Sequence, residues 1–140
     1  MKNWLLLLVL VGILFAGCVS PPTKNVVHWH AKVNIEICGI HKDLPKIPPG
    51  QGHLGSPLLH THDDNIVHLE GDIKNQDITI GKFMDVIGLD FSETSFMGKS
   101  NGDDCNGSPG KWKMFLNLQE SNLFRDYVVS DGDTVLLTFE

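Results

Sequence analysis

Residues 26–38 read VVHWHAKVNIEIC, and their alternation decides the architecture. Val27, Trp29, Ala31, Val33, Ile35 and Ile37 fall on one side of an extended chain. His28, His30, Lys32, Asn34, Glu36 and Cys38 fall on the other. A period of two residues marks a strand with one buried and one wet face. The stretch is therefore expected to be a long half-buried strand. It would present both imidazoles of His28-Trp29-His30 on its polar face, about 7 Å apart along the chain.

Downstream, Gly39 reads as a turn and Ile40–Leu44 as the return strand of a hairpin. Residues 45–59 hold four prolines and three glycines and read as a loop. Leu58–His62 is a short extended piece, Asp63-Asp64-Asn65 a turn, and Ile66–Glu70 a strand with Val67 and Leu69 inward. Asp77–Ile80 reads as a strand. Ile80, Phe83, Met84 and Ile87 then recur at the spacing of an amphipathic helix, with Thr79 as N-cap and Gly88 as its stop. Lys99–Gly110 reads as a surface loop. Lys111–Leu118, Tyr127–Val129 and Thr134–Phe139 read as strands, with Ser130-Asp131-Gly132-Asp133 as the turn between the last two. Many strands around one helix predict an α+β fold, mainly β.

Upstream, Met1-Lys2-Asn3 is a short basic start, and Trp4–Phe15 is apolar and free of charge. Ala16-Gly17-Cys18 follows, completing the plan of an export signal over residues 1–17. The apolar run is short for a permanent spanning helix, which needs about 20 residues. Phe15-Ala16-Gly17-Cys18 resembles a lipobox, with Phe15 where a leucine is usual. The resemblance implies cleavage before Cys18 and lipidation of Cys18. Residues 18–25 would then be a proline-stiffened tether, and residues 26–140 a single domain on the outer face of the cell membrane. Loss of Lys2 would leave the mature chain one charge more acidic.

The whole chain has 140 residues and a formal charge of −6, with 11 Lys and Arg against 17 Asp and Glu. A chain this short cannot form a (β/α)₈ barrel, which needs at least about 200 residues. An acidic chain without a basic cluster is not a nucleic-acid binder. In an exported chain Cys38 and Cys105 would most simply form a disulfide. The alternative is that both are thiolate metal ligands.

All seven histidines lie between His28 and His68. Two-residue spacing pairs His28 with His30, His60 with His62, and His68 with Glu70, each pair on one side of a strand. Three such segments in one sheet, with strands about 4.8 Å apart, would bring imidazoles and a carboxylate together as Zn, Cu, Ni or Fe requires. Candidate ligands are thus His28, His30, His60, His62, His68 and Glu70. Asp63 and Asp64 are further ligands or acceptors for an imidazole N–H. His41 and His53, in the turn and the loop, are weaker candidates, a lid ligand at most.

Known metal motifs fit poorly. His60-Thr61-His62-Asp63-Asp64-Asn65 lacks the final His of the metallo-β-lactamase box. No Glu follows His62 at the cupin spacing, no His follows His68 for a two-His-one-carboxylate iron site, and Trp112 stands where an EF-hand loop needs Glu. The chain does resemble a family of uncharacterised, exported, lipobox-bearing prokaryotic proteins. The resemblance rests on His28–Ala31, Leu59–Asp63, Ile66–Glu70, Ile80–Gly88 and Asp131–Asp133. It implies that the histidines act as one unit and lends no activity. Residues 76–140 also resemble the β-grasp fold. Its sulfur carriers end in Gly-Gly whereas this chain ends Phe139-Glu140, so that resemblance is expected to concern architecture alone. The leading expectation is a lipid-anchored protein that captures, delivers or senses a transition metal. The alternatives are a metal-free β-grasp module that binds a protein partner, and a small metalloenzyme with Asp64 or Glu70 as base.

Overall fold

The computed structural model describes residues 25–140. The expected export signal, the expected lipidation site Cys18 and most of the expected tether lie outside the described residues. The alternating stretch forms β1 (Val26–Ile37), and its phase is as expected: Ala31, Val33 and Ile35 are buried while His28, His30 and Lys32 are exposed. It is followed by β2 (Ile40–Lys42), β3 (Leu54–Gly55), β4 (Leu59–Thr61), β5 (Ile66–Asp72) and helix α1 (Ile80–Val86). The second half contains β6 (Ser95–Phe96), β7 (Lys99–Ser100), β8 (Asp104–Cys105), β9 (Ser108–Pro109), β10 (Trp112–Leu116), β11 (Gln119–Ser121), a 3₁₀ turn at Phe124–Asp126 and β12 (Thr134–Phe139). No helix among the described residues is long and apolar enough to cross a membrane.

One mixed sheet runs through both halves of the chain in the order β11-β10-β12-β1-β5-β4-β3, with β2 also paired to β1. β1 is central. It runs parallel to β12, with Val33 opposite Val135, and antiparallel to β5, with Trp29 opposite Leu69. β1 and β5 are an antiparallel pair separated in the chain by β2, β3 and β4, and the first and last strands lie parallel in the middle of the sheet. Residues 76–140, for which a β-grasp likeness is expected, do not form a separate sheet: β12 pairs with β1, so the sheet draws on both halves of the chain.

The remaining differences are local. Tyr127–Val129 and Asp77–Ile80 are not sheet strands. They meet at a single bridge, Thr79 opposite Val128, supported by Ile80 N–H to Tyr127 O and Val129 N–H to Ile78 O. Tyr127, Val129 and Ile80 are buried in the core and Ile78 partly so, while Val128 is exposed, so the β-like composition of these segments reflects burial rather than pairing. Lys99–Gly110 is not featureless: β6 pairs with β7 and β8 with β9.

α1 forms where the apolar spacing requires, and Thr79 Oγ1 accepts from the Lys82 N–H as its N-cap. Ile80, Phe83, Met84 and Ile87 pack on the apolar face of the sheet with Leu69, Leu137 and Trp112. Alternation then sends the other side chains of the same strands to the uncovered face. That face carries the histidines.

Candidate metal centre

Strand register turns three dispersed sequence pairs into a patch. His30 lies opposite His68 across β1 and β5, and His68 lies opposite His60 across β5 and β4. One imidazole from each of three adjacent strands thus forms a transverse rank. His28 lies opposite Glu70 in the next rank on the same face. The His60, His62 and His68 rings surround one another at centroid distances of 4.8, 4.6 and 5.5 Å. The rank continues through His30, 4.8 Å from both His68 and His28.

Two groups of three can each hold a metal ion: His60 with His62 and His68, and His28 with His30 and Glu70. In each, one donor atom per residue lies within 4.8 Å of the other two. A metal–imidazole bond is about 2.0–2.1 Å, so donors on one ion stand roughly 3–4 Å apart and small side-chain movements close either group.

The orientation of the inner group is set by its hydrogen bonds. His62 Nδ1 donates to the carbonyl of Gly52 at 3.0 Å. A carbonyl only accepts, so Nε2 of His62 is left without the proton and free to ligate. His68 Nε2 donates to Asp64 Oδ2 at 2.8 Å, which frees its Nδ1. His60 is buried to 4% exposure, and its Nδ1 has no hydrogen-bond partner. A buried imidazole nitrogen without a partner forfeits about 1–3 kcal/mol of hydration unless something else binds it. Burial, and then the neighbouring His53 and His62, lower the pKa of His60. The lowered pKa favours the neutral form that a metal needs.

Asp64 is the hub of the orienting network. Its Oδ1 accepts from Thr61 Oγ1 and from the N–H groups of His62 and Ile66, while Oδ2 serves His68. Burial alone would raise its pKa, but the bond from His68 and those from the backbone N–H groups outweigh it and hold Asp64 at about 2. Asp64 thus serves as an anchor; its lone pairs are taken and its basicity is low. A folded pKa below the ordinary value means stability present above pH ~4 and lost as pH falls through about 2. With the side chain about one-third exposed (34%), we expect ~1 kcal/mol from this source. Urea midpoints of the wild type and Asp64→Asn should therefore converge as the pH is lowered from 4 to 2; a constant difference across that range would refute the assignment.

Asp63 lies elsewhere: its Oδ1 accepts from the Ile47 N–H and pins the proline-rich loop. Asn65 does the same with Leu44 N–H and Asp43. The expected turn at 63–65 is thus the knot that fastens the loop beside the histidines. His41 pairs with Asp43 and stands apart from the cluster.

His53, expected to contribute little, belongs to the cluster. Its ring lies 4.7 Å from His60 and 6.2 Å from His62, and its Nδ1 is also buried without a partner. It is brought there by the β3–β4 hairpin, in which Gly55 lies opposite His60. The signal for that hairpin was present in Gly55-Ser56-Pro57, a turn sequence just before Leu58-Leu59-His60. Gly55 has φ +119°, and a Cβ there would lie 2.5 Å from Leu59 O and 3.0 Å from His60 Cα. Gly55→Ala is expected to destabilise by more than ~1 kcal/mol. It should also shift the His60 ring resonances in NMR spectra, because β4 cannot keep its place; unchanged spectra would contradict this.

The Asp131-Gly132-Asp133 turn also has a positioning role that sequence reasoning missed. Asp131 Oδ1 accepts from the His30 N–H at 2.9 Å, and the Gly132 N–H reaches His30 O at 2.8 Å. Asp133 is held in turn by Tyr127 and Asn117. The C-terminal turn clasps the backbone from which His30 projects.

Cys38 and Cys105 form a disulfide. The thiolate alternative is thereby excluded, and the donors of the centre are imidazole and carboxylate. No family model matches the chain, and no curated protein or solved structure matches it.

Proposed function

We propose that this protein is an extracytoplasmic binder of a divalent transition metal, held at His60, His62 and His68 with His53 as a fourth ligand. The observation that carries the reading is the His60 side chain. It is nearly buried, its Nδ1 lacks a partner, and three other imidazoles surround it. Exposed histidines need no explanation; a buried one ringed by three others, with its own Nδ1 and that of His53 unpaired, does. The orienting bonds from His68 to Asp64 and from His62 to Gly52 are those that metal-ligating imidazoles make. An all-imidazole set suits Zn²⁺, Cu²⁺, Ni²⁺ or Fe²⁺ and disfavours Mg²⁺ and Ca²⁺, which take oxygen donors. Capture or delivery of such an ion needs no further chemistry from the chain.

The reading includes the anchor. Cys18 at the end of the apolar leader would carry lipid and keep the metal face at the membrane surface. Labelling with a radioactive fatty acid should mark the wild type and not Cys18→Ser; equal labelling of both would remove the anchor from the proposal.

The test of metal binding is equilibrium dialysis of the full chain in detergent against Zn²⁺ and Cu²⁺. Tight uptake is expected in the wild type, weakened at least 100-fold in His60→Ala/His62→Ala. Uptake below one equivalent at saturating metal, or equal uptake by the variant, would overturn the reading.

A further inference from the structure

The second group, His28, His30 and Glu70, lies beside the first on the same face and shares a ligand atom's reach with it. Glu70 Oε1 stands 3.1 Å from His28 Nε2 and 4.0 Å from His60 Nε2. We infer that the face holds two divalent cations side by side, an inner one on the His60 group and an outer one on His28 and His30, with Glu70 as the carboxylate between them. The inference rests on the proposed metal binding at the inner group and extends it from a mononuclear to a dinuclear centre.

Three observations lead there. The first is donor number. His28, His30, His53, His60, His62, His68 and Glu70 form one contiguous patch, whereas a tetrahedral ion uses four donors. A single ion would leave the His28 end unused.

The second is reach. His28 and His30 project from the same face of β1 with their ring centroids 4.8 Å apart, close enough to share one ion. Donors on one ion stand no more than about 4.2 Å apart, twice a metal–nitrogen bond. The chain of rings from His28 through His30 and His68 to His62 advances by 4.8, 4.8 and 4.6 Å at successive steps. That run is too long for one coordination sphere and suits two adjacent ones.

The third is charge. Two divalent cations a few ångströms apart repel, and a carboxylate with one oxygen on each relieves that repulsion. Glu70 is the carboxylate in reach of both groups, because its register places it opposite His28 on β1 and two residues beyond His68 on β5. Paired metal sites bridged in this way hold their ions about 3.5–4 Å apart. The net charge of the whole chain, −6, favours cation uptake further.

The two positions differ in depth. The His60 side chain is 6% exposed and that of His28 is 65% exposed. The inner position is therefore the more ordered and the outer one faces water, so filling should be stepwise, with the outer ion held at least 10-fold more weakly. The outer ion is the one that exchanges with solution or with a partner.

The test is a Cu²⁺ titration of the full chain in detergent, read by dialysis and by electron paramagnetic resonance. Two equivalents are expected. The spectrum of the first should be that of an isolated ion, and the second should bring dipolar broadening from a neighbouring spin. His28→Ala/His30→Ala should retain one equivalent and lose the broadening. Glu70→Gln, which keeps shape and removes charge, should weaken the second equivalent at least 10-fold and spare the first. One equivalent in the wild type, unchanged in His28→Ala/His30→Ala, would overturn the pair while leaving the inner site standing. Two equivalents with uncoupled spectra would overturn the shared carboxylate. No uptake at all would overturn the inner site and the pair together. Circular dichroism of the variants identifies any that fail to fold, and the exposed His28 makes His28→Ala alone the fallback for the outer position.

Discussion

Zn²⁺ at a concentration 100-fold above its dissociation constant is expected to raise the melting temperature of this protein by about 10 °C, and to raise that of His60→Ala/His62→Ala, which keeps only the weaker outer group, by about half of that or less. A ligand that binds only the folded state stabilises it by RT ln(1 + [L]/Kd), about 2.7 kcal/mol at that excess. For a domain of this size each kcal/mol moves the midpoint by roughly 3–5 °C. The unfolded chain does not compete well, because the donors of the inner group come from β3–β4, β5 and the loop before them. Register, not proximity in sequence, brings His60 opposite His68. The double variant also removes the buried His60 nitrogen that has no partner in the absence of metal, so its metal-free form should lose little stability and could gain some. Differential scanning calorimetry with and without Zn²⁺ checks both halves of the expectation. A shift of the same size in the variant would mean that the ion binds elsewhere.

Removing the disulfide is expected to cost about 4 kcal/mol, the other large effect. Cys38 stands in the turn after β1 and Cys105 on β8, 67 residues apart in the chain. Closing a loop of that length restricts the unfolded ensemble by an entropy worth about 4 kcal/mol at 25 °C. On the folded side the bond fastens the β6–β9 excursion to the end of the central strand. Gly110 and Phe139 pack there so closely that a Cβ on Gly110 would lie 2.5 Å from the Phe139 ring. Cys38→Ser/Cys105→Ser should lower the urea midpoint accordingly, and a loss below about 1 kcal/mol would show that the excursion is held without the bond. The variant should still bind metal wherever it is folded. The disulfide lies at the far end of β1 from His28, about 30 Å away at 3.3 Å per residue. Metal affinity and disulfide stability are thus separable readouts of the two ends of one strand.

The phase of β1 and β5 was legible because alternation is a local property. Each polar residue in His28-Trp29-His30 and His68-Leu69-Glu70 is assigned to the uncovered face by its immediate neighbours, and the structure puts them there. The helix was legible for the same reason, since Thr79 caps it and Ile80, Phe83, Met84 and Ile87 repeat within two turns. Tyr127–Val129 misled because β-branched and aromatic residues mark burial as readily as pairing.

Chain order alone therefore determined which side of the sheet His28, His30, His60, His62 and His68 occupy, that Cys38 and Cys105 were a pair to be explained, and that the fold is mainly β around one helix. Tertiary structure alone decided which strands are neighbours. It set His30, His68 and His60 in one rank, drew His53 in from a loop, and placed Glu70 between the two groups. It also joined β1 to β12, which makes one sheet of the two halves and lets Asp131 hold the backbone of His30. The physical reason is that side-chain direction is set by backbone dihedrals within a few residues, whereas register is chosen by long-range packing. A slip of one residue would send these imidazoles into the core, and a slip of two would keep their face and dissolve the rank.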